Sequence, residues 1–354
     1  MENKNLYRKK IENSDISFNE KQKLLSNLGN IKDDYPIILN GYHISNKVGI
    51  KWNDYLKLLK NTNKYYHVYY MAKKSGGRRK ITIPDQILMD IQYFIKNNIL
   101  ENIKIDESAF GFRKQKSILA NATYHREGEK VLIMDIENFF PSIHKGRVYY
   151  VFNKICGYSR EVSYDLTRLV TYNNGLPQGA PTSPIISNIV AYKLDLRLKG
   201  LSYVIGIKYS RYADDLTFSG AENKINDKLL YTVSNIIEDE GFKLNLKKIR
   251  FYGKNSTKII NGLVINNGYV TIQKRYIDKI KQELYYIRKF GLESHLNYVG
   301  FKNKHYAEHL KGKILYVYSI DKEKGKQLFS LYNELNIENK PNLVRGGFDE
   351  MPVL

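Results

Sequence analysis

Hydrophobic positions along the chain change period several times, and each change marks an element. Val131-Leu132-Ile133-Met134 is a continuous apolar run, which predicts a strand buried on both faces and ending at Asp135. Downstream, Ile205, Ile207 and Tyr209 alternate with smaller or polar residues, and Leu216 and Phe218 alternate with Thr217 and Ser219 before Gly220. A period of two on both sides of Tyr212-Ala213-Asp214-Asp215 predicts a strand, a tight turn and a second strand. Another hairpin is expected from Tyr65 to Ala72 and Lys80 to Ile83, around the glycine turn Ser75-Gly76-Gly77.

Helical spacing dominates elsewhere. Ile87, Ile91, Phe94 and Ile95 place a helix over 86–98. Ile186, Ile189, Val190, Leu194 and Leu198 predict one helix over 185–199, with Ser183 as its N-cap, Pro184 at its first position and Gly200 as its stop. Ile277, Ile280, Leu284 and Ile287 form one face of a helix over 275–290 that Gly291 ends. A further helix around Leu310 to Val317 contains Gly312, which permits close packing. Residues 1–50 are polar with scattered Leu and Ile, as expected of short helices, and neither internal repeats nor low-complexity linkers break the chain.

The acids supply the chemistry. Side chains reverse face at each strand residue, so only a turn lets neighbouring carboxylates aim near one point. Asp214 and Asp215 occupy such a turn, and Asp135 ends the buried run, where a carboxylate is costly unless paired or bound to a cation. Three carboxylates make a hard oxygen site suited to Mg²⁺. Two such ions about 4 Å apart serve in-line phosphoryl transfer, activating the attacking oxygen and neutralising the leaving one. Asp135 and Asp214 are expected to bridge two ions, with Asp215 on one and the Ile136 carbonyl as a further ligand. Gln178-Gly179, just before the 185–199 helix, offers a backbone without Cβ against which a base pair or sugar lies closely. Taken singly, each segment also has a plainer reading: a surface Asp-Asp turn, a solvated strand end, a turn before a helix.

Taken in order, the segments resemble the palm motifs of reverse transcriptases: Asp135-x-x-x-x-Phe140, Leu176-Pro177-Gln178-Gly179-x-Pro181-x-Ser183-Pro184, and Tyr212-Ala213-Asp214-Asp215. Phe110-Gly111-Phe112-Arg113 with Ser117 is similar to the family's fingers motif, and Gly241-Phe242-x-Leu244-Asn245-x-x-Lys248 to the motif after the catalytic hairpin. The resemblance implies an α+β right-hand polymerase with fingers, an antiparallel-sheet palm and a helical thumb. It implies RNA-directed DNA synthesis from dNTPs with two Mg²⁺ ions at Asp135, Ile136, Asp214 and Asp215, and Lys248 protonating the departing pyrophosphate. The basic hairpin with Lys73, Lys74, Arg78, Arg79 and Lys80 is expected to fold over the triphosphate, Arg79 matching by its spacing to Pro84. Lys80 and Gln178 join it as dNTP-binding residues, and Phe140 is the expected gate against a ribose 2′-hydroxyl.

Asn121-Ala122-Thr123-Tyr124-His125 is similar to the Asn-Ala-x-x-His signature of the bacterial retron branch, and Asn121 and His125 are its expected RNA contacts; the plainer reading of His125 is a hydrogen-bonded histidine on a helix packed against the palm, and the two are compatible. That branch usually carries Val-Thr-Gly after the lysine motif, where this chain has Ile260-Asn261-Gly262. Retron resemblance implies a structured noncoding RNA as template and primer, a branched RNA–DNA product (msDNA), and anti-phage defence with a separately encoded effector protein. Two alternatives stand beside it. One is a reverse transcriptase of an abortive-infection or intron-related lineage, the latter disfavoured because no maturase or endonuclease module follows the thumb. The other is a catalytically idle RNA- or effector-binding scaffold, disfavoured by the intact acids.

Composition adds a partner and removes some classes. The chain has 57 Lys and Arg against 36 Asp and Glu, a net charge of +21, which suits a phosphate backbone. Arg275, Lys279 and Lys313 of the predicted thumb helices are expected to contribute to that track, reading shape and phosphate rather than bases. The single Cys156 excludes an intramolecular disulfide and fits a reducing bacterial cytoplasm. No apolar run approaches the ~18 residues of a membrane span, and the start lacks a signal-peptide core, so neither membrane nor export is expected. The expected organisation is an N-terminal extension over 1–50, fingers over 51–130, palm over 131–265 with a helical insertion around 144–180, and thumb and tail over 266–354.

Overall fold

In the computed structural model, the buried apolar run becomes the strand Lys130–Asp135 (β3), an inner strand of a sheet. The strands before it, Tyr66–Ala72 (β1) and Arg78–Pro84 (β2), pair as a separate hairpin. Those after it are Lys208–Tyr212 (β4), Asp215–Gly220 (β5) and Arg250–Tyr252 (β6). Together they form an antiparallel sheet of order β4-β5-β3-β6. The structure describes residues 3–72, 76–300, 305–335 and 337. Lys73, Lys74 and Ser75 of the basic hairpin, and the tail over 341–354, lie outside the described residues. The chain divides into two compact units, Met1–Ser256 and Thr257–Leu354.

The register makes the two sheet faces chemically different. Asp135 lies opposite Asp215, Ile133 opposite Thr217, Val131 opposite Ser219, and Ser210 opposite Thr217, so acids and small hydroxyls share one face. Leu132, Met134, Tyr209, Leu216 and Phe218 point to the other, where they enter the large core. That core is closed by helices including Gln86–Asn98, Arg160–Val170 and Tyr192–Ile205. Short helices over Lys4–Glu12, Phe18–Asn30 and Gly41–Val48 occupy the expected N-terminal stretch.

The expected helix over 185–199 is two helices, Ser183–Val190 and Tyr192–Ile205, separated at Ala191 with φ −80° and ψ 0°. Ser183 is inside the first turn, and Thr182 stands at the cap position without a side-chain bond. Gly200 lies within the second helix, and the stop is the left-handed Gly206 at φ 66°. Ile205 therefore belongs to a helix and not to the strand, which begins at Lys208.

In the second unit, Lys258–Ile260 (β7), Leu263–Asn266 (β8) and Tyr269–Ile272 (β9) form an antiparallel meander. Both turns are Asn-Gly pairs with positive φ, 46° and 82° at Asn261-Gly262, then 47° and 77° at Asn267-Gly268. Asn and Gly tolerate that backbone, which fits the twist of a two-residue hairpin. The Ile260-Asn261-Gly262 departure thus has a local reason: it closes the β7–β8 turn. Helices Lys274–Phe290, Leu292–Val299, Tyr306–Ile320 and Lys322–Asn333 follow.

Candidate active site

Tyr212 pairs with Asp215, leaving Ala213 and Asp214 as a two-residue turn between β4 and β5. Ala213 has φ 57°, a conformation that costs a residue with a Cβ roughly 1–2 kcal/mol. Asp215 begins β5 opposite Asp135, so both carboxylates leave the same face, and Asp214 reaches that place from the turn. One ligand oxygen of each acid lies within 4.8 Å of the others. Burial, and then the neighbouring charge of Asp135, push Asp214 above the ordinary carboxylate range. Lys248, from the short turn Leu246–Lys248, donates to Asp135 Oδ2 at 2.6 Å. Burial disfavours its charge, yet the Asp135 carboxylate holds the ammonium above its usual value.

Three carboxylates converge here, and all the donors are hard oxygens. The residues therefore fit a divalent cation. The backbone fixes them from two sides. The Ile136 amide donates to the Asp214 carbonyl at 2.9 Å, and the Asn245 amide to the Asp135 carbonyl at 2.8 Å. Lys248 is thereby tied to the strand that carries Asp135.

Behind the turn lies a buried network that the sequence pattern did not reveal. Arg211, 0% exposed, makes a two-point ion pair with Asp195, also 0% exposed, at 2.8 and 2.6 Å. Tyr209 donates its hydroxyl to the same carboxylate at 2.8 Å. Arg211 Nη1 donates to the Ala213 carbonyl at 3.1 Å and to Asn188 Oδ1 at 3.0 Å, and Asn188 Nδ2 donates to the Gly111 carbonyl at 2.9 Å. Gly111 lies so close to the turn that a Cβ there would stand 2.6 Å from the Ala213 nitrogen. The Phe110-Gly111-Phe112-Arg113 segment, the helix Ser183–Val190 and the acid turn are one hydrogen-bonded assembly. Arg211 falls on the apolar side of an alternating strand; its only sequence signal is an acid at a helical core position, Asp195.

Other expected site residues are placed as follows. Phe140 is half-buried, its ring 5.9 Å from Phe112 and 5.6 Å from Phe139. Arg79 and Lys80 are both exposed but leave opposite faces of β2; Lys80 lies over the Tyr172 ring at 5.0 Å. Gln178 accepts the Thr82 amide through its carbonyl, and a Cβ on Gly179 would stand 3.0 Å from the Thr82 carbonyl oxygen. The bare Gly179 backbone therefore allows close approach of β2, while the residue itself stays exposed.

Two RNA contacts are also corrected. Asn121 and His125, on the helix Ile118–His125, are 0% exposed and face the sheet. His125 bonds Ser219 Oγ and Ser210 Oγ, each at 2.7 Å, and Ser210 donates to Asn121 Oδ1 at 2.5 Å. These side chains have no surface to offer an RNA and instead pin the helix to β4 and β5. Burial, aided by Lys208, pushes His125 down to about 3. In the second unit, Lys313 is held at 3.0 Å by both oxygens of Glu283, so its charge is largely satisfied within the protein. Arg275 and Lys279 are exposed on the outer face of Lys274–Phe290.

A family model described as reverse transcriptase (RNA-dependent DNA polymerase) matches residues 71–302. The chain is similar to the Retron Ec86 reverse transcriptase of Escherichia coli, with 32% identity over 88% of this chain and 92% of that one. It is also similar to the Retron Mx162 reverse transcriptase of Myxococcus xanthus, with 29% identity over 78% of this chain and 62% of that one. Among solved structures, a telomerase from Candida albicans in complex with a fragment of telomeric RNA aligns with TM-score 0.43 and 10% identity, over 81% of this chain and 66% of that one.

Proposed function

The chain belongs to the reverse transcriptases, within the retron type, and on that premise we propose that it copies a structured noncoding RNA into a branched RNA–DNA hybrid. It is an RNA-directed DNA polymerase with the right-hand α+β fold of that family. The observation that carries the chemistry is the convergence of Asp135, Asp214 and Asp215 within 4.8 Å at the end of a buried strand and a hairpin turn. These carboxylates, with the Ile136 carbonyl, would hold two Mg²⁺ ions. Bound there, the ions would lower the pKa of the attacking hydroxyl and stabilise charge on the phosphoryl oxygens.

The chain's own residues supply the rest. Lys248, 2.6 Å from Asp135, would give a proton to the departing pyrophosphate. Arg79, exposed at the hairpin, would meet the triphosphate, and Lys80 would act from the other face only if the hairpin turned. Phe140 would exclude a 2′-hydroxyl from the sugar position. Arg275 and Lys279 would follow RNA phosphates without reading bases. A separately encoded effector, a role in phage defence and a bacterial cytoplasmic setting complete the reading, on the strength of the retron relatives. Among the described residues no helix is long and apolar enough to cross a membrane.

Priming gives the test. A retron enzyme starts DNA from an internal ribose 2′-hydroxyl, which attacks the α-phosphorus of the first dNTP and expels pyrophosphate. Nucleic acid copurified with the chain should yield, after RNase and nuclease digestion, one branched nucleotide with a 2′–5′ linkage by mass spectrometry. DNA beginning on an ordinary 3′ end would leave a reverse transcriptase and remove the retron product.

A further inference from the structure

Phe112 has a backbone that a bulky side chain rarely adopts, with φ 60°, and the residue is 46% exposed. Neither fact suits a residue placed for stability, since the strain is not repaid by full burial. Such strain persists only where the surroundings over-determine the conformation, and here they do. The Phe110 amide donates to the Arg211 carbonyl at 2.7 Å, and the Gly111 carbonyl accepts Asn188 at 2.9 Å. On the other side, Arg113 Nη1 donates to the Asp106 carbonyl at 2.9 Å and Nη2 pairs with Glu107 at 3.0 Å. Phe112 is thus clamped from both neighbours, directly beside the acid turn that Gly111 touches.

The ring has a defined place. Its centroid lies 5.9 Å from that of Phe140 and 6.5 Å from that of Tyr212, the residue from which the Ala213-Asp214 turn leaves β4. Phe140 alone is a half-buried ring held on one side by Phe139. Phe112 supplies the opposing support and an exposed apolar surface of its own.

We propose that Phe112 is a specificity-determining residue of the polymerase: with Phe140 and Tyr212 it forms the wall that meets the sugar of the incoming nucleotide and sets the room left for a 2′-substituent. The inference rests on the reading of Phe140 as the sugar gate and extends it to a second residue from the fingers motif. The ring faces fill the space beside the sugar, so a deoxyribose fits and a ribose 2′-hydroxyl meets a ring.

The test is single-nucleotide incorporation on an annealed primer, comparing kcat/KM for a dNTP with that for the matching rNTP. Phe112→Gly relieves the backbone strain while deleting the ring, so folding is preserved, as a thermal melt should verify; Phe112→Tyr keeps the ring. The glycine variant should lower the dNTP-to-rNTP ratio by about tenfold or more, the scale on which a pocket wall discriminates, and the tyrosine variant should restore it. Combined with Phe140→Ala, the loss should be smaller than the product of the single effects, because the rings act as one wall. If Phe112→Gly lowers both efficiencies equally while Phe140→Ala shifts the ratio, the proposal falls and the Phe140 gate stands. A shift with Phe112→Gly but none with Phe140→Ala would keep Phe112 and remove the gate reading. No shift in either would remove both.

Discussion

Arg211 decides whether the acid turn is held or merely tolerated. Its guanidinium is wholly buried, bonded to Asp195, Asn188 and the carbonyl of the strained Ala213. Replacing it by Met would leave Asp195 buried with the Tyr209 hydroxyl but no cation to pair it, and breaking such a pair costs about 3–5 kcal/mol. Arg211→Lys keeps the charge but cannot span all three partners, so it should lose less stability and yet lower kcat by about tenfold, with KM for dNTP little changed. Thermal melts with steady-state primer extension check this; a Lys variant with wild-type kcat would show that the turn needs no such support. At this scale the sequence was legible where charge broke an apolar pattern. Asp135 ended a hydrophobic run, and Asp214 and Asp215 interrupted an alternation. Arg211 and Asp195 were not, because each is explained only by the other, 16 residues away in sequence.

Among elements, the helix Ile118–His125 had two readings, contact with RNA and packing against the palm, and Asn121 and His125 follow the second. Sequence showed the Asn and His four residues apart, hence on one side of a helix, but could not show which side was covered. The hydroxyls of Ser210 and Ser219, on the same sheet face as Asp135 and Asp215, are what His125 meets. The burial has a pH consequence. His125 in the folded chain is pushed down from 6.5 to about 3, so below pH 6.5 the unfolded chain takes up a proton that the folded one refuses. Stability is therefore full above pH 6.5 and lost as pH falls toward 3, by up to ~1.4 kcal/mol per pH unit for this group. Chemical denaturation at pH 7 and pH 5 should show a larger drop for wild type than for His125→Gln; equal drops would mean that His125 does not control the acid response. The two Asn-Gly turns of β7–β9 carry a hairpin signal in their residue types, since both positions need positive φ. The break at Ala191 was not legible, for nothing in its residue type stops a helix.

For the molecule as a whole, binding and chemistry draw on different parts of the charge. A net +21 favours a polyanion at any step, whereas the proposed reacting centre is an acidic cluster in which Lys248 pairs with Asp135. Loss of one carboxylate should therefore stop synthesis and leave RNA affinity nearly untouched. The direct measurement is first-dNTP incorporation on a primed RNA template by wild type and Asp214→Asn, with RNA Kd determined for both in the same buffer. The account predicts that incorporation falls by about a thousandfold or more, since the acid's partner ions supply several kcal/mol of transition-state stabilisation, with Kd changed by less than about threefold. Incorporation by Asp214→Asn at the wild-type rate would contradict the assignment of the acid cluster as the polymerase centre.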